Sequence, residues 1–569
     1  MKLYNRIMKI NNEHEVETMT NRNQSLSGIV WLTLVLCLVG AGQERVSAAE
    51  TTTLVITGDA APDGNGIFSG FEPVQPLNAN GKVAFIASLT GTQSPSTDGR
   101  GIFIADTKSI TQLVRTGETT PDGNGSFQHF SSNFGVIERL VLNDNDTVAF
   151  FASLTGTTGG STDNIGLFGA SAVGGVKQFV RASDSAPDGN GVFASGELGL
   201  SPPGLDNNNA AMFYGRFVNT SGGEQIDDSG VFRSDGNTIS RVIRTGATIP
   251  GGGDAFEDVP PYIASNLGGQ VVLSAILAFE FTGEPPGDDL QRIYVHTDTI
   301  LNEIFRGGTP VPDGNGIVTN AWDLSTNING NVIFIGNVSD SGNFNLDVPR
   351  LFITDGVTLK QIARQSELAP GEQTPQGELP FRFGSFFEIR RDSNAAGKVA
   401  FSMTLERNTA EDNRSSGIYL GDGNTTKLVL HEGDAVPGGD GAFGNVAVPL
   451  FLNNSGEIAF ASSLEGTSDP AVDNRGIFFI GSDGVVQTVA RNGMTLAGST
   501  IMDAFFLGDH VNQFALSNSD LSTAGMDAIN DSGQVVFWAI LADGRSGIFL
   551  WNSTAVPPDD DTIYADSFE

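Results

Sequence analysis

A polar turn followed by an apolar run recurs eight times along this chain. The unit reads N-x-x-G-x-x-A-F, as in NANGKVAF, and successive copies begin 59 to 77 residues apart. The copies begin at Asn78, Asn143, Asn207, Asn266, Asn327, Asn394, Asn453 and Asn530. Because the run after each turn is almost wholly apolar, it predicts a β-strand covered on both faces. Eight copies at a near-constant period predict a repeat architecture.

The N-x-x-G half of the unit has the residue pattern of a type I turn. Asparagine is favoured at the first position, where its side chain bonds the backbone, and glycine at the fourth, where a left-handed conformation is often needed. Two copies replace the glycine. Asp146 tolerates the left-handed geometry, whereas Ala210 is expected to strain the turn or to shift it.

Each repeat also predicts three further strands. A G-[IVL]-[FY] segment follows the asparagine at an offset of 23 residues in six repeats, and Arg292 and Arg350 take its glycine position in two. A strand that ends in a basic residue then runs into a Pro-Asp-Gly loop, as in Ile110–Gly125. A short apolar run, such as Ile137–Leu142, leads to the next asparagine. Each repeat therefore carries four antiparallel strands.

Four-stranded units at this period are what a β-propeller requires. Residues Thr53–Asp59 match the fourth strand of a blade, and the eighth repeat has its first three strands without a fourth. The sequence thus predicts an all-β fold, a closed eight-bladed β-propeller of four-stranded blades whose N-terminal strand completes the last blade. A split or open array is the alternative, although an open solenoid would need polar capping repeats, and none is seen in the sequence.

The chain divides into three segments. Residues 1–48 are predicted to be a signal peptide, because Ile29–Val39 is an apolar run too short to span a bilayer. The small residues of Val46–Ala48 place cleavage after Ala48. Residues 49–552 form the propeller, and 553–569 are an acidic, disordered tail with no hydrophobic anchor. The mature chain is therefore predicted to be exported without a transmembrane anchor.

The composition of the chain argues against several classes of partner and of reactive site. Aspartate and glutamate number 66 against 31 lysines and arginines, a net charge of −35 that argues against nucleic acid as a partner. Cys37 is the only cysteine and lies in the signal segment, so the mature protein has no disulfide and no thiolate chemistry. The histidines lack zinc-ligand spacing, and neither a nucleophile elbow nor a P-loop is present.

The tandem N-x-x-G-x-x-A-F units resemble those of the bacterial choice-of-anchor NxxGxxAF tandem-repeat family, over Thr53–Trp551. More distantly, the order of turn, apolar strand, G-I-F strand and basic-ended strand is similar to TolB-like propeller blades. The resemblance implies export and a surface or extracellular setting, with anchors that vary, and no established reaction. The tail of this chain departs from the anchored pattern.

Two sets of loop aspartates are the candidate metal ligands. The first set lies in P-D-G-N-G loops and the second lies three residues before the G-I-F strand, and the blade geometry predicts one shared face for both. The first set comprises Asp63, Asp122, Asp188 and Asp313, with Asp254 and Asp440 in degenerate loops; the second comprises Asp98, Asp163, Asp227, Asp289, Asp347 and Asp473. Calcium, which prefers oxygen ligands, is one interpretation. Turn formation by Pro-Asp-Gly is the favoured one.

Two other residue groups are candidate contacts. The strand-end arginines Arg115, Arg181, Arg244, Arg306, Arg364 and Arg491 could gather substrate carboxylates, although pairing with loop aspartates is the favoured interpretation. The insertion Gly498–Met526 contains Phe505, Phe506, Asp509 and His510, which are candidates for a partner-specific contact. Covering of the ring seam is an equal alternative.

The leading functional hypothesis is a non-enzymatic, secreted or surface-associated module, with calcium as an open cofactor and an unknown protein or polysaccharide as partner. A monomer is expected. The alternative is an extracellular propeller hydrolase or lyase acting on a polymer, since fold does not fix function. An enzyme should place a few unlike polar residues near the channel, and the sequence predicts only turn and core residues there, apart from the final insertion.

Overall fold

The computed structural model describes residues 50–553 except 73–75, 132–138, 197, 199, 224–225, 251–254, 262, 278–290, 298–299, 340–347, 372–378, 387–388, 408–413, 447–449 and 507–526. The described residues form eight antiparallel sheets arranged as the blades of a β-propeller. The helical element that lies wholly within them is a 3₁₀ turn at Gly160–Thr162. The predicted all-β, eight-bladed fold is confirmed.

The first four blades contain strands β2 to β20. Blade 1 has β2 (Ile67–Phe71), β3 (Val83–Thr90), β4 (Arg100–Ala105) and β5 (Ile110–Arg115); blade 2 has β6 (Ser126–His129), β7 (Leu140–Leu142), β8 (Val148–Thr155), β9 (Ile165–Ser171) and β10 (Gly175–Arg181). Blade 3 has β11 (Val192–Phe193), β12 (Gly204–Leu205), β13 (Ala211–Val218), β14 (Ser229–Ser234) and β15 (Ile239–Arg244); blade 4 has β16 (Phe256–Asp258), β17 (Ile263–Ser265), β18 (Val271–Leu277), β19 (Gln291–Thr297) and β20 (Ile300–Arg306).

The remaining blades contain β21 to β39 and the N-terminal β1. Blade 5 has β21 (Thr309–Pro310), β22 (Ile317–Thr326), β23 (Val332–Ser339), β24 (Val348–Thr354) and β25 (Leu359–Arg364); blade 6 has β26 (Arg382–Phe383), β27 (Arg390–Ser393), β28 (Val399–Glu406), β29 (Arg414–Gly421) and β30 (Thr426–His431). Blade 7 has β31 (Ala442–Phe443), β32 (Leu450–Leu452), β33 (Ile458–Glu465), β34 (Arg475–Ile480) and β35 (Val486–Arg491); blade 8 has β36 (Thr495–Leu496), β37 (Ser499–Phe505), β38 (Gln534–Leu541), β39 (Ser546–Asn552) and β1 (Glu50–Ile56).

Strands pair in chain order within each blade. In five blades the first strand is two short pieces that both pair with the strand after the N-x-x-G turn, whereas blade 5 has the long β22 instead. In β3 the first five residues are all buried, so both faces of the strand are covered, as the apolar run predicts. First strands of neighbouring blades contact one another and line the central channel.

An aromatic pair joins the second and third strands of seven blades. Phe85 lies opposite Phe103 in the β3–β4 register, and their rings stack with centroids 5.5 Å apart. Equivalent pairs are Phe150–Phe168, Phe213–Phe232, Phe334–Phe352, Phe401–Tyr419, Phe460–Phe478 and Phe537–Phe549. Such a pair contributes about 0.5–1.5 kcal/mol beyond the area that it buries. The repeated phenylalanines are therefore core residues.

The turn of repeat three begins one residue earlier than the sequence pattern indicates. Asp206, not Asn207, accepts the backbone bond that closes the turn, from the N–H of Asn209. Asn209 is the residue in the left-handed region, with φ of 61°, so Ala210 avoids that conformation and starts the strand. Of the two predicted consequences of Ala210, the shift is the one observed. Asp146 adopts the left-handed geometry itself, with φ of 59°.

The N-terminal strand lies in the last blade. β1 pairs antiparallel with β39, with Glu50 opposite Asn552 and Ile56 opposite Gly547. Leu54, Val55 and Ile56 are buried there. Blade 8 thus contains strands from both ends of the described chain, which leaves β39 with a partner on each side.

Candidate functional site

A ring of asparagine side chains connects the blades at one end of the channel. The Nδ2 of Asn78 donates to the carbonyl of Asn143, 3.1 Å away in the next blade, and that of Asn530 returns to the carbonyl of Asn78 at 3.1 Å. This asparagine ring consists of Asn78, Asn143, Asn266, Asn327, Asn394, Asn453 and Asn530. In blade 3 the ring position is taken by Asp206, whose side chain has no N–H to donate, and the backbone N–H of Asn207 bonds the carbonyl of Leu267 instead.

The same asparagines also hold their own turns. The Oδ1 of Asn143 accepts the N–H groups of Asn145 and Thr147 while its Nδ2 donates across the blade junction. All seven side chains are at most 6% exposed. An amide supplies both roles in one side chain, whereas a carboxylate supplies only the acceptor. Sequence reasoning assigned these residues to the turn alone, and the missed signal was the near-absence of the aspartate and serine that a turn would equally accept.

A cavity of about 340 Å³ lies in the channel beside this ring. Its lining differs from blade to blade at the residue that follows each ring position. Leu267, Ile328 and Ala395 form an apolar side in blades 4 to 6, whereas Asp144 and Asp531 contribute carboxylates in blades 2 and 8. The repeats are therefore least alike where they face the channel.

Two further carboxylates line this cavity. Asp392 accepts the N–H groups of Ser393 at 2.7 Å and of Leu452 in the next blade at 2.8 Å. Burial raises the pKa of Asp392 to about 6, despite these bonds and the nearby Arg391. Burial, followed by the negative charges of Asp392 and its acidic neighbours, raises the pKa of Asp527 to about 8. The prediction of only turn and core residues at the channel is therefore wrong, because unlike acidic residues converge there.

The backbone of blade 5 is irregular at the same place. β22 has a bulge between Trp322 and Ser325, and Asp323 within it has φ of 57°. Arg391 of blade 6 donates to both the carboxylate and the carbonyl of Asp323, which holds the bulge. Ser325 lines the cavity, and its buried hydroxyl finds no hydrogen-bond partner among the described residues. Bulges and unsatisfied polar groups of this kind concentrate at functional sites.

The loop aspartates lie away from this cavity, in contacts that recur within the blades. Arg181 of β10 donates to the carboxylate of Asp122 at 2.7 Å and to the carbonyls of Asn124 and Asp163, each at 2.7 Å. Equivalent ion pairs are Arg115–Asp63, Arg244–Asp188, Arg350–Asp313 and Arg491–Asp440. The favoured interpretation of strand-end arginines as partners of loop aspartates is confirmed for Arg115, Arg181, Arg244 and Arg491.

Blades 4 and 5 depart from this scheme. Arg350, at the glycine position of its repeat, is fully buried and reaches Asp313 at 2.9 Å, so a third-strand residue supplies the guanidinium. In blade 4, Arg292 and Arg306 both pair with Glu303.

The asparagine of each P-D-G-N-G loop links the two aspartate sets. Asn124 donates to the carboxylate of Asp163 at 2.9 Å, and Asn65–Asp98 and Asn190–Asp227 repeat the contact. Burial alone would raise the pKa of Asp163, but hydrogen bonds from Thr157, Asn124 and the N–H of Gly159 lower it. Asp473 accepts from Arg491 at 3.3 Å. In blade 7, Asp440 takes the asparagine position of its loop. We call each set of an arginine with its loop residues, which in blades 1 to 3 are an asparagine and two aspartates, a loop clasp. Asp254, Asp289 and Asp347 lie outside the described residues.

The chain matches one protein family along nearly all of the repeat region. The matched segments are residues 43–135, 130–284, 199–514 and 509–561. The chain belongs to DUF7453, a family of unknown function. No curated protein matches this member of DUF7453. Within the described part of the chain, no helix has the length and apolar character needed to cross a bilayer.

Solved structures similar to this DUF7453 chain include a β-propeller domain and two lyases, each of low sequence identity. The β-propeller domain of the trilobed protease from Pyrococcus furiosus is 12% identical over 75% of this chain and all of that one, with a TM-score of 0.32. Oligogalacturonate lyase in complex with manganese is 10% identical over 90% of this chain and 98% of that chain, with a TM-score of 0.30. Polysaccharide lyase Uly1 is 10% identical over 75% of this chain and 93% of that chain, with a TM-score of 0.34. These likenesses concern architecture alone.

The calcium hypothesis for the loop aspartates leads to a measurable expectation. Among the described residues, no three histidine, cysteine, aspartate or glutamate side chains are grouped closely enough to hold a metal ion. We expect millimolar calcium or a chelator to change the melting temperature by less than about 1 °C, because a guanidinium already occupies each clasp. Differential scanning calorimetry measures this. A calcium-dependent rise of several degrees would restore the metal interpretation of Asp63, Asp122, Asp188, Asp313, Asp98, Asp163, Asp227 and Asp473.

Phe505 and Phe506 lie at the end of β37 and pack inward. They are 4% and 2% exposed. Phe505 lies 5.4 Å from Trp538, and Phe506 lies 5.7 Å from Phe451 of blade 7, ring centroid to ring centroid. Both rings are therefore core residues at the junction of blades 7 and 8 and do not offer an exposed contact. The other two candidates of the insertion, Asp509 and His510, lie outside the described residues.

Proposed function

We propose that this protein is an exported, non-enzymatic propeller that binds a ligand in the channel cavity beside the asparagine ring. One observation carries the proposal: the cavity is where the repeats differ most in charge and backbone geometry, whereas the loop clasps recur with one role. Asp392, Asp527, Ser325 and the bulge at Asp323 are all found at this end of the channel. Concave sites with a few convergent polar groups are the usual places of ligand binding.

The setting of the protein belongs to the same proposal. The apolar run Ile29–Val39 supports export, and the resemblance to NxxGxxAF tandem-repeat proteins supports a secreted or cell-surface location. We propose a monomer whose partner is a protein or a polysaccharide. The repeat region contains no cysteine, so its core and its interblade bonds, rather than disulfides, stabilise the proposed scaffold.

An extracellular hydrolase or lyase is the second candidate, and one observation favours it. Asp392 and Asp527 are two carboxylates with raised pKa values in one cavity, and paired carboxylates of different pKa can share acid and base roles. Against it, both oxygens of Asp392 already accept backbone N–H groups. This arrangement fixes the carboxylate as a charge rather than leaving it free to transfer protons.

Blocking the channel tests the proposed function. We expect ligands found by ligand-observed NMR in a library of oligosaccharides and short peptides to lose binding to an Ile328→Trp variant, because the larger ring fills the cavity. Val173→Trp, which places the same ring on a fully exposed hairpin, should bind as the unchanged protein does. Ligands that bind both variants equally would place the site elsewhere. Turnover of a bound oligosaccharide that Asp392→Asn abolishes would favour the enzyme.

A further inference from the structure

We infer that the channel cavity binds an organic cation, a primary ammonium or guanidinium group carried on an apolar body. This inference rests on the proposed function and names the chemical class of its ligand. The cavity has carboxylates on one side, an apolar wall on the other and a buried hydroxyl without a partner in the described residues. The carboxylates favour the cationic group, the apolar wall favours the apolar body, and the hydroxyl favours an N–H of the cationic group.

The carboxylates of the cavity have no cationic partner among the described side chains. Asp144 accepts from the N–H of Ala79 and the amide of Asn207, and Asp531 accepts from the N–H and the amide of Asn454. These donors are neutral and leave the negative charge in place.

Asp392 and Asp527 are likewise without an ion pair, and the one basic side chain of the described lining does not reach them. Arg391 donates to Asp323 on the blade 5 side. The electrostatic field of the cavity is therefore negative and open to an incoming cation.

The raised pKa values of Asp392 and Asp527 are consistent with carboxylates that form no ion pair with the described side chains. Burial and mutual repulsion leave Asp527 holding a proton at neutral pH, with a pKa of about 8. A bound cation would replace that proton as the neutralising charge, because an opposite charge favours the ionised carboxylate. Binding should therefore release a proton near pH 7 and tighten as the pH rises.

The spread of the charges favours an organic cation over a metal ion. In the described part of the chain, no three acidic side chains are close enough together to form a metal site. A volume of about 340 Å³ suits a molecule with a small ring or alkyl chain. The apolar wall of Leu267, Ile328 and Ala395 would cover that body, and Ile328 is 42% exposed without it.

Ser325 supplies the third feature. Its hydroxyl is buried at 7% residue exposure beside the bulge that Arg391 holds, and burying a hydroxyl without a partner is energetically unfavourable. The cost is recovered when a ligand N–H donates to this oxygen. Ser325 is thus a positioning contact for the cationic group.

The probe is phenethylamine, compared with the neutral 2-phenylethanol of similar shape. We expect isothermal titration calorimetry to give at least about tenfold tighter binding for the amine, and an affinity that rises between pH 6 and pH 8.5. Asp392→Asn and Asp527→Asn should each weaken amine binding by about tenfold at pH 8.5 while leaving the alcohol unchanged. Ser325→Ala should weaken amine binding without lowering the melting temperature. Asp469→Asn, which removes one exposed charge outside the cavity, is the matched control.

Equal affinity for amine and alcohol, or an amine affinity that neither aspartate variant changes, would overturn the inference. The proposed function fails separately, since it requires only that some library ligand be lost in Ile328→Trp. If such ligands are found and all prove neutral or anionic, channel binding stands and the cationic class is wrong. If Asp392→Asn does not fold, Asp527→Asn still tests the inference. The carboxyl of Asp527 is already neutral below about pH 8, so a neutral amide in its place should not prevent folding.

Discussion

Replacing Asn143 by alanine is expected to lower the free energy of unfolding by about 3–5 kcal/mol. The side chain is fully buried, and its Nδ2 donates to the carbonyl of Asp206 and to the Oδ1 of Asn209, each at 2.7 Å. Its Oδ1 accepts two backbone N–H groups of its own turn. Alanine leaves these buried groups without partners, and each unsatisfied group costs about 1–3 kcal/mol. Urea denaturation followed by tryptophan fluorescence and circular dichroism measures the loss.

Two variants separate the ring from the turn. Asn143→Asp keeps the acceptor for the turn but places a buried carboxylate oxygen against the carbonyl of Asp206, so we expect a loss at least as large as that of alanine. Asn145→Ala removes an exposed amide of the same turn, which donates to the carbonyl of Asn207 in blade 3, and should cost less than about 1 kcal/mol because the bond is open to water. If Asn143→Ala costs no more than Asn145→Ala, the buried bonds of the ring contribute no more to stability than an exposed one does.

The asparagine ring marks the boundary of what local sequence could predict. The turn, the buried strand and the aromatic pairs follow from residue preferences within one repeat, so the second and third strands of a blade could be predicted from Asn78–Phe103 alone. The bond from Asn78 to Asn143 joins residues 65 positions apart and depends on how blades pack side by side. No local pattern carries that information, which is why the asparagine was assigned to the turn alone.

The candidate site was even harder to predict from the sequence than the asparagine ring. Asp392 lies two residues before its asparagine, where other repeats have Val141 or Phe451, and Asp527 lies three residues before its own, where they have Leu140 or Leu450. Their significance arises because blades 6 and 8 both face one channel. Ser325 becomes notable only through the bulge in β22, which departs from the two-piece first strand of most other blades.

The ring and the cavity are physically connected. Each ring asparagine fixes the turn whose next residue lines the cavity, so Asp144, Leu267 and Ile328 are held at set distances by bonds that also join the blades. A rigid frame lowers the ordering cost of binding. The variable residues can therefore change ligand preference without altering the frame.

Introducing a charge into the N-terminal strand should have the other large effect. Val55 of β1 is fully buried against blade 8, and Val55→Asp is expected to lower the free energy of unfolding by about 4 kcal/mol or more, because a buried carboxylate there has no partner. Loss of β1 also exposes the edge of β39, so limited proteolysis should cut within blade 8 first. Thr53→Asp adds the same charge at an exposed position of β1 and should cost less than about 1 kcal/mol.

A disulfide between β1 and β39 also tests whether β1 completes blade 8, because it should make the protein more stable if the two strands pair. Glu50 and Asn552 lie directly opposite each other in the β1–β39 register, near the open ends of both strands. With Cys37 replaced by serine, the pair Glu50→Cys and Asn552→Cys should oxidise readily and raise the free energy of unfolding by about 3–5 kcal/mol, since it closes a very long loop of the unfolded chain. Reduction should remove the gain. Failure to form the disulfide, together with an unchanged stability of Val55→Asp, would show that β1 does not complete blade 8 in solution and that the ring is closed by the asparagine bonds alone.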